Sequence, residues 1–501
     1  MQIAIWAFVV VTLLVTISGA AAVVAKRSTT EDYLLASRDI APWLSALSTV
    51  ATNNSGFMFV GMIAATYRLG IETVWMMVGW ILGDLIAWNR LYPLLRAKSG
   101  ATGATTVTAI LATGPEGPRR SLVIAASCLT FVFLGVYAAA QLQAGSMALH
   151  ALFGWHVSVG VIIGAMIVIL YSFAGGIRAD IWTDAAQSAV MLVSILLILV
   201  AGFLAVGGPD ALMANLRAQD PELLSLFPAD LTFGPLLFVA GFIFAGVASI
   251  GQPHLMTRVM AINTLKGIRR ARWYYFGWFV PFWAACILVG LYTRAVLPDL
   301  AGFEATAGLN EPTELALPLV TMELLPEVFV GLALAGLFAA TVSTADSQII
   351  LCSGVVTQDM LPRFRESYPA SKLATLAVLL LAIIVAVAAP ESVFDLVLIA
   401  WSALGATLGP VLVIRLFRWR LPSGAGLATM AAGLATVIAW QVSGLDDDVF
   451  KVMPAILAAF ATYWLYCRWV PDPVSCRGDG DESGTEPGFQ GPRRTSTEQS
   501  L

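Results

Sequence analysis

Charge is what this chain has least of. Asp, Glu, Lys and Arg make up 12% of its 501 residues, against 58% hydrophobic residues. A soluble globular domain carries about twice that charge, so a soluble enzyme or a nucleic-acid-binding module is a poor fit. Histidine is scarce, with three in the chain. The five cysteines have no metal or redox spacing, and those inside apolar stretches, such as Cys286 and Cys352, read as small packing residues. No catalytic triad, P-loop or glycine-rich nucleotide fingerprint occurs. Nothing here points to an enzyme, and nothing supplies ATP hydrolysis to drive transport.

What is present is apolar length. Mean hydropathy is +0.81, and a bilayer-crossing helix needs about 20 apolar residues. About thirteen runs satisfy this criterion, near 2–25, 42–67, 71–95, 121–149, 156–174, 181–206, 233–260, 272–297, 327–356, 371–389, 391–416, 424–442 and 449–469. The expected fold class is an all-α membrane protein with about 13 transmembrane helices. The first run lacks a basic leader and a small-residue cleavage site, so it reads as a span and not a signal peptide. Alternate gaps carry most of the cations: Lys26, Arg27 and Arg38; Arg96, Lys98, Arg119 and Arg120; Arg178; Arg258, Lys266, Arg269, Arg270 and Arg272; Arg363, Arg365 and Lys372; Arg415, Arg418 and Arg420. The other gaps are acidic. By the positive-inside rule the N-terminus is outside and the C-terminus cytoplasmic. Residues 472–501 are rich in Gly, Ser, Pro, Glu and Arg and read as a disordered cytoplasmic tail.

Polar residues interrupt several runs. Ala340, Ser343, Thr344 and Ser347 share one face of the ninth run at helical spacing. Hydroxyls and the neighbouring Asp346 are costly in hydrocarbon. They offer hard oxygen ligands for an alkali cation; the alternative is small residues that let two helices pack closely. Asn53-Asn54-Ser55-Gly56 in the second run disfavours a regular helix. Unwound backbone there is tolerated only against protein or a cavity, where its carbonyls can coordinate Na+; a kinked helix is the alternative. Gly246 to His254 forms a second interruption in the seventh run, with Pro253 unable to donate a backbone hydrogen bond. Two interrupted helices five spans apart point to a binding site at the bilayer midplane. His254 is a proton carrier or a polar residue bonded to backbone. Tyr171 to Arg178 reads as a tight turn. Asp180 reads as a helix cap, whereas Asp184, a turn deeper, reads as ion-facing or helix-linking. Asp84 is intramembrane with no evident role.

In order, Glu31-Asp32-Tyr33-Leu34-Leu35-Ala36-Ser37-Arg38, Asn53-Asn54-Ser55-Gly56, Gly175-Gly176 through Trp182-Thr183-Asp184, Gly251-Gln252-Pro253-His254 with Arg258, and Ser343-Thr344-Ala345-Asp346-Ser347 resemble the sodium/solute symporter family. Within it, the chain is most similar to the Na+/proline symporters. The resemblance covers roughly 30–360, and the span count extends it to about 470. It implies a LeuT-type inverted five-plus-five repeat with discontinuous helices and extra spans at the ends. On that frame 1–41 is a first helix and loop, 42–417 the transport core, 418–470 peripheral helices and 471–501 the tail.

The resemblance also implies a Na+ site made by the carbonyls of Ala51, Asn54 and Ala340 with the hydroxyls of Ser343 and Thr344. A candidate second cation site maps to Asp184, Asp346 and Ser347, with Ser343 beside it. Relatives with that second site have a hydroxyl at the position of Asp346. Asn53 stands where the proline transporters carry an Asp. The solute pocket would be lined by Asn53, Ser55, Tyr137, Ala245, Ser249 and Gln252. Two pocket aromatics of the proline symporters fall on Ala245 and Ser249, which puts proline in doubt. The implied function is Na+-coupled import of a small polar organic solute, an amino acid or related carboxylate, across a bacterial inner membrane. Na+, the solute and the lipid bilayer are the expected partners. A proton-coupled carrier using Asp184, Asp346 or His254, a solute-sensing protein of the same fold and a passive carrier are the alternatives.

Overall fold

The computed structural model describes residues 2–22, 29–114, 117–300, 302–303, 306, 309, 311–388 and 392–470. The expected tail lies outside the described residues. The helices in chain order are α1 Gln2–Ala22, α2 Thr30–Leu35, α3 Pro42–Gly56, α4 Ile63–Leu69, α5 Val74–Ile86, α6 Tyr92–Thr102, α7 Val107–Ala112, α8 Arg120–Phe153 and α9 Val157–Val206. They continue with α10 Pro209–Gln219, α11 Gly234–Val247, α12 Pro253–Met260, α13 Leu265–Val296, α14 Ala316–Leu324, α15 Glu327–Gly354, α16 Tyr368–Ala388, α17 Val393–Leu416, α18 Ser423–Ser443 and α19 Val452–Trp469.

Local chemistry sets several boundaries. Thr264 caps α13 by accepting the Gly267 N–H, and Ser392 caps α17 by accepting that of Asp395. Such caps satisfy donors that a helix start leaves open. Pro42 and Pro253 sit in the first turns of α3 and α12, where a missing N–H costs nothing. Gly154 and Gly444 stop α8 and α18 in the left-handed region.

Nine helices among the described residues are long and apolar enough to cross a membrane. One of them, Pro42–Thr102, carries two of the expected runs; they part at Gly70, at φ 73°. A Cβ there would lie 2.1 Å from the Leu223 carbonyl oxygen. Gln2–Ser18 and Val157–Ile169 are shorter apolar helices. The fifth and sixth runs are not separated by a loop. They form α9, which bends at Gly176, at φ 59°.

α15 and α17 are the most buried spans, while α16, α18 and the second half of α9 expose much of their apolar surface. Leu204, Leu236 and Val442 are large apolar side chains left largely exposed. In water this pattern would be a liability; against lipid tails it is the expected outer surface. α15 packs on α8, α9, α3 and α1. α17 packs on α8 and on the turn that follows α11. α18 and α19 pack on each other and on α17. The interrupted α3 and α11–α12 therefore meet the central α15 and α17, and their polar residues are sealed from lipid.

Candidate functional site

The first interruption is a single residue. Ser55 has φ 49° and ψ −171°, outside the helical region, while residues on both sides are helical. Non-glycine residues seldom occupy such a conformation, at a cost of about 1–3 kcal/mol. Neighbours hold it in place. Gln141 Oε1 of α8 accepts the Gly56 N–H at 2.8 Å. Ser55 Oγ accepts the Phe57 N–H at 3.1 Å and lies 3.5 Å from the Tyr137 hydroxyl. Gly56 leaves no space for a side chain, because a Cβ would meet Thr341 Cγ2 at 2.5 Å. Asn53 donates from Nδ2 to the Tyr275 hydroxyl at 2.5 Å. Asn54 turns its amide back to the Val50 carbonyl at 2.6 Å, and its own carbonyl accepts the Phe57 N–H.

The second interruption is built differently. α11 tightens over Ala248–Gly251, Gln252 is extended at φ −99° and ψ 99°, and α12 begins at Pro253. Gln252 Nε2 donates to the Trp401 carbonyl of α17 at 2.9 Å, and Trp401 Nε1 returns a bond to the Ala245 carbonyl at 3.0 Å. A Cβ on Gly251 would lie 2.6 Å from Gly405 Cα, so the break touches α17 backbone to backbone. Ala245, Ser249 and Gln252 are all fully buried. Tyr137 presents its ring edge-on to His254, with centroids 5.5 Å apart. Neither ring nitrogen of His254 has a hydrogen-bond partner among the described residues, so its expected bond to backbone is not formed.

The hydroxyl face of α15 meets the end of α3. Thr344 Oγ1 donates toward the Thr52 and Ala340 carbonyls, each at 3.2 Å. Thr52 lies between Ala51 and Asn54 in sequence, so this contact sets the hydroxyl face of α15 against the turn of α3 that bears them. Ser343 instead donates to Asp184 Oδ1 at 2.5 Å. Its oxygen lone pairs remain available to a cation.

Beside this junction lies a buried ionic cluster. Arg258 of α12 is 0% exposed. Its guanidinium donates to Asp180 at 2.6 Å, Asp184 at 2.7 Å, Ser48 at 2.6 Å, the His254 carbonyl at 2.8 Å and Ser347 Oγ. Ser347 also reaches Asp180 at 3.1 Å, and Ser48 donates to Asp184 at 2.6 Å. Asp346 lies against Asp180 and within electrostatic reach of Arg258. Helices α3, α9, α12 and α15 thus converge on one cation. Buried charges are tolerated only when paired and hydrogen-bonded, as here.

Two sequence expectations change. Arg258 counts among the loop cations in the orientation tally, yet it is a core residue. Asp180 does not cap a helix: α9 runs on past Gly176, and the carboxylate pairs with Arg258. Sequence reasoning missed Ser48, Thr52, Gln141 and Tyr275 at this site. Arg258, four residues after His254 in an apolar run, carried the one available signal, since intramembrane arginines face protein interiors.

Two interrupted helices packed against one hydroxyl-bearing helix define a secondary carrier with discontinuous spans. The chain belongs to the Sodium:solute symporter family, whose pattern it matches over residues 33–433. It is a multi-pass membrane protein of a transporter family, and Na+ coupled to a small-molecule solute is the transport it performs. The high-affinity proline transporter PutP of Bacillus subtilis is 28% identical over 442 residues, covering 87% of this chain and 91% of that protein. The sodium/proline symporter of Escherichia coli is 29% identical, covering 85% of each. Among solved structures, a Na+-coupled sialic acid symporter superposes with TM-score 0.74 at 18% identity, covering 93% of this chain and 98% of that one. Mhp1, a nucleobase-cation-symport-1 family transporter, superposes with TM-score 0.53 at 17% identity, covering 87% and 94%. These likenesses fix the fold as the LeuT type.

Proposed function

We propose that Na+ binds between α3 and α15, on the carbonyls of Ala51, Asn54 and Ala340 and the hydroxyls of Ser343 and Thr344. The observation that carries this is the contact of Thr344 Oγ1 with the Thr52 carbonyl, which sets the hydroxyl face against the last turn before the first break. The solute pocket lies between the two breaks, lined by Asn53, Ser55, Tyr137, Ala245, Ser249 and Gln252. Free backbone groups at broken helix ends favour a polar or zwitterionic solute. An amino acid or related carboxylate fits that chemistry. Proline is the solute named for the relatives in Bacillus subtilis and Escherichia coli. Small Ala245 and Ser249 favour a bulkier solute, or one that takes a hydroxyl contact in place of ring stacking.

Asp180, Asp184 and Asp346 face the single guanidinium of Arg258. That imbalance supports a second Na+ at Asp184, Asp346 and Ser347. The cation distribution of the loops supports an orientation with the N-terminus outside and the C-terminus cytoplasmic, and the bacterial relatives support an inner (plasma) membrane. The transport core is 42–417, flanked by 1–41, 418–470 and the tail from 471.

Uptake by proteoliposomes under an imposed Na+ gradient, run against a panel of amino acids and carboxylates, tests the proposal. Ser343→Ala or Thr344→Ala should raise the Na+ needed for half-maximal uptake at least about tenfold, a loss of about 1.4 kcal/mol. Ala245→Trp should block solute uptake and spare Na+ binding. Uptake that a proton gradient drives equally well without Na+ would defeat the assignment.

A further inference from the structure

Asp84 of α5 has no part in the Na+ site described above. Its side chain is 1% exposed. The Tyr275 hydroxyl of α13 donates to Asp84 Oδ2 at 2.6 Å, and Asn53 donates to the Tyr275 oxygen. Two hydrogen bonds thus join this carboxylate to the first break. Glycines set its position. A Cβ on Gly83 would lie 2.1 Å from the Ile243 carbonyl, and one on Gly246 would lie 2.2 Å from that of Trp80. α5 and α11 therefore touch along their backbones, which brings Asp84 close to Ser249.

Among the described residues the second carboxylate oxygen, Oδ1, has no hydrogen-bond partner, and neither has Ser249 Oγ, the Tyr92 hydroxyl or Trp88 Nε1. All four belong to buried side chains. Ser249 approaches both Asp84 and Tyr92 closely enough to interact, yet neither contact closes to hydrogen-bond geometry. The Trp88 ring packs 4.9 Å from Tyr275 and 5.2 Å from Tyr92. Buried polar groups in native proteins are almost always satisfied, so four open ones in one place mark a site for something small.

Charge narrows the choice. No described basic side chain pairs with Asp84. Arg90 is exposed, Arg96 donates to the Ile262 carbonyl, and Arg272 bonds Asn89. The other titratable groups facing it are Tyr275 and Tyr92. An isolated ionised carboxylate is costly to bury. Na+ would have two hydroxyl oxygens here besides Oδ1, too sparse a shell to replace its water. A proton needs one oxygen. On Oδ1 it removes the buried charge and creates an O–H that Ser249 or Tyr92 can accept.

We propose that Asp84 is a proton-binding site of this carrier, tied to the solute pocket through Tyr275 and Asn53. The tie rests on the assignment of Asn53 and Ser249 to that pocket. Ionised Asp84 holds the Tyr275 hydroxyl through a charge-assisted bond, and Asn53 with it. Protonated Asp84 holds Tyr275 less strongly, which frees the Asn53 amide for the solute.

Infrared difference spectroscopy on the full chain in liposomes tests this, with Na+ fixed and pH stepped from about 5 to about 9. The wild type should show a neutral carboxylic-acid band that disappears as pH rises. Asp84→Asn should lose the Asp84 component of that band and keep the one from Glu314, and Tyr275→Phe, which keeps the acid but cuts the tie, should keep the Asp84 component at a shifted frequency. Tryptophan fluorescence on the same samples should report Na+ affinity within about threefold of wild type in both variants. An acid band of equal intensity in the wild type and Asp84→Asn overturns the proposal, as does a wild type with no such band. An unshifted band in Tyr275→Phe overturns the tie to the pocket. A wild type with the acid band but no Na+ response supports Asp84 and defeats the Na+ site instead.

Discussion

The two interrupted helices reach the same outcome by different means. The second break is relaxed: Gly251 gives room, Gln252 is extended, and Pro253 starts a fresh helix. The first break concentrates its departure in Ser55, a residue with a side chain in a conformation that suits glycine. The cost is carried by Gln141, Tyr137 and the close fit of Gly56 on α8 and α15. One break is set by its own sequence; the other is imposed by its neighbours. Residues held in strain by their surroundings belong where function needs them, and this break carries the expected ligands of both Na+ and solute.

Arg258 ties the breaks together. It lies just past the second one, yet it bonds Ser48 on the helix that leads into the first, and Ser45 of that helix donates to its carbonyl at 2.8 Å. Removing it would leave Asp180 and Asp184 buried without their cation. Such a loss costs about 3–5 kcal/mol, the largest effect expected here. Arg258→Met should lower the thermal midpoint of the purified protein sharply and reduce the amount inserted in the membrane. A variant as stable as wild type would mean that the two breaks do not depend on this link.

The elements that sequence reached are those with local signatures. Asn53 to Gly56 and Gly246 to Pro253 declared themselves by composition, and the face Ala340, Ser343, Thr344 and Ser347 by helical spacing. What stayed hidden depends on distant pairing. Tyr275 lies 191 positions from Asp84 and Arg258 lies 78 from Asp180. Nothing in Trp273-Tyr274-Tyr275-Phe276 says which ring turns inward. Charge misled at Asp180, where a carboxylate near a glycine bend looks like a cap until its partner is known. Composition also does not say that Ser55, and not Gly56 beside it, takes the positive φ.

The contrast in strain can be tested by opposite signs. Ser55→Gly should relieve the backbone and raise stability by about 1 kcal/mol. It should also weaken Na+ binding, because the carbonyls before the break lose their fixed direction. Gly251→Ala gains no such relief, and its Cβ would lie 2.6 Å from Gly405 Cα and 2.7 Å from the Leu404 carbonyl. Overpacking of this kind costs about 1–3 kcal/mol. Thermal unfolding of both variants in one detergent checks the pair. Loss of stability in both would show that the first break is no more strained than the second.

The smallest effect concerns α17, which touches both breaks. Its Phe394 stacks on Phe57, just beyond Ser55, at 5.3 Å, while Gly405 abuts Gly251. Glu314, in the loop before α14, seals the start of this helix. It accepts from the Val393 N–H at 2.7 Å, the Phe394 N–H at 3.3 Å and the Ser392 hydroxyl at 3.1 Å. Burial pushes its carboxyl up from 4.5 to about 7, and those donors pull it partly back. The folded site therefore binds the proton more tightly than the unfolded chain does. Its contribution to stability is full below about pH 4.5 and is lost as pH rises through about 7. Hydrogen exchange at Val393 and Phe394, corrected for the intrinsic rate, should quicken across that window in the wild type. In Glu314→Gln, which cannot ionise, it should stay level. Equal pH profiles in the two proteins would remove Glu314 as the group that holds α17 against the first break.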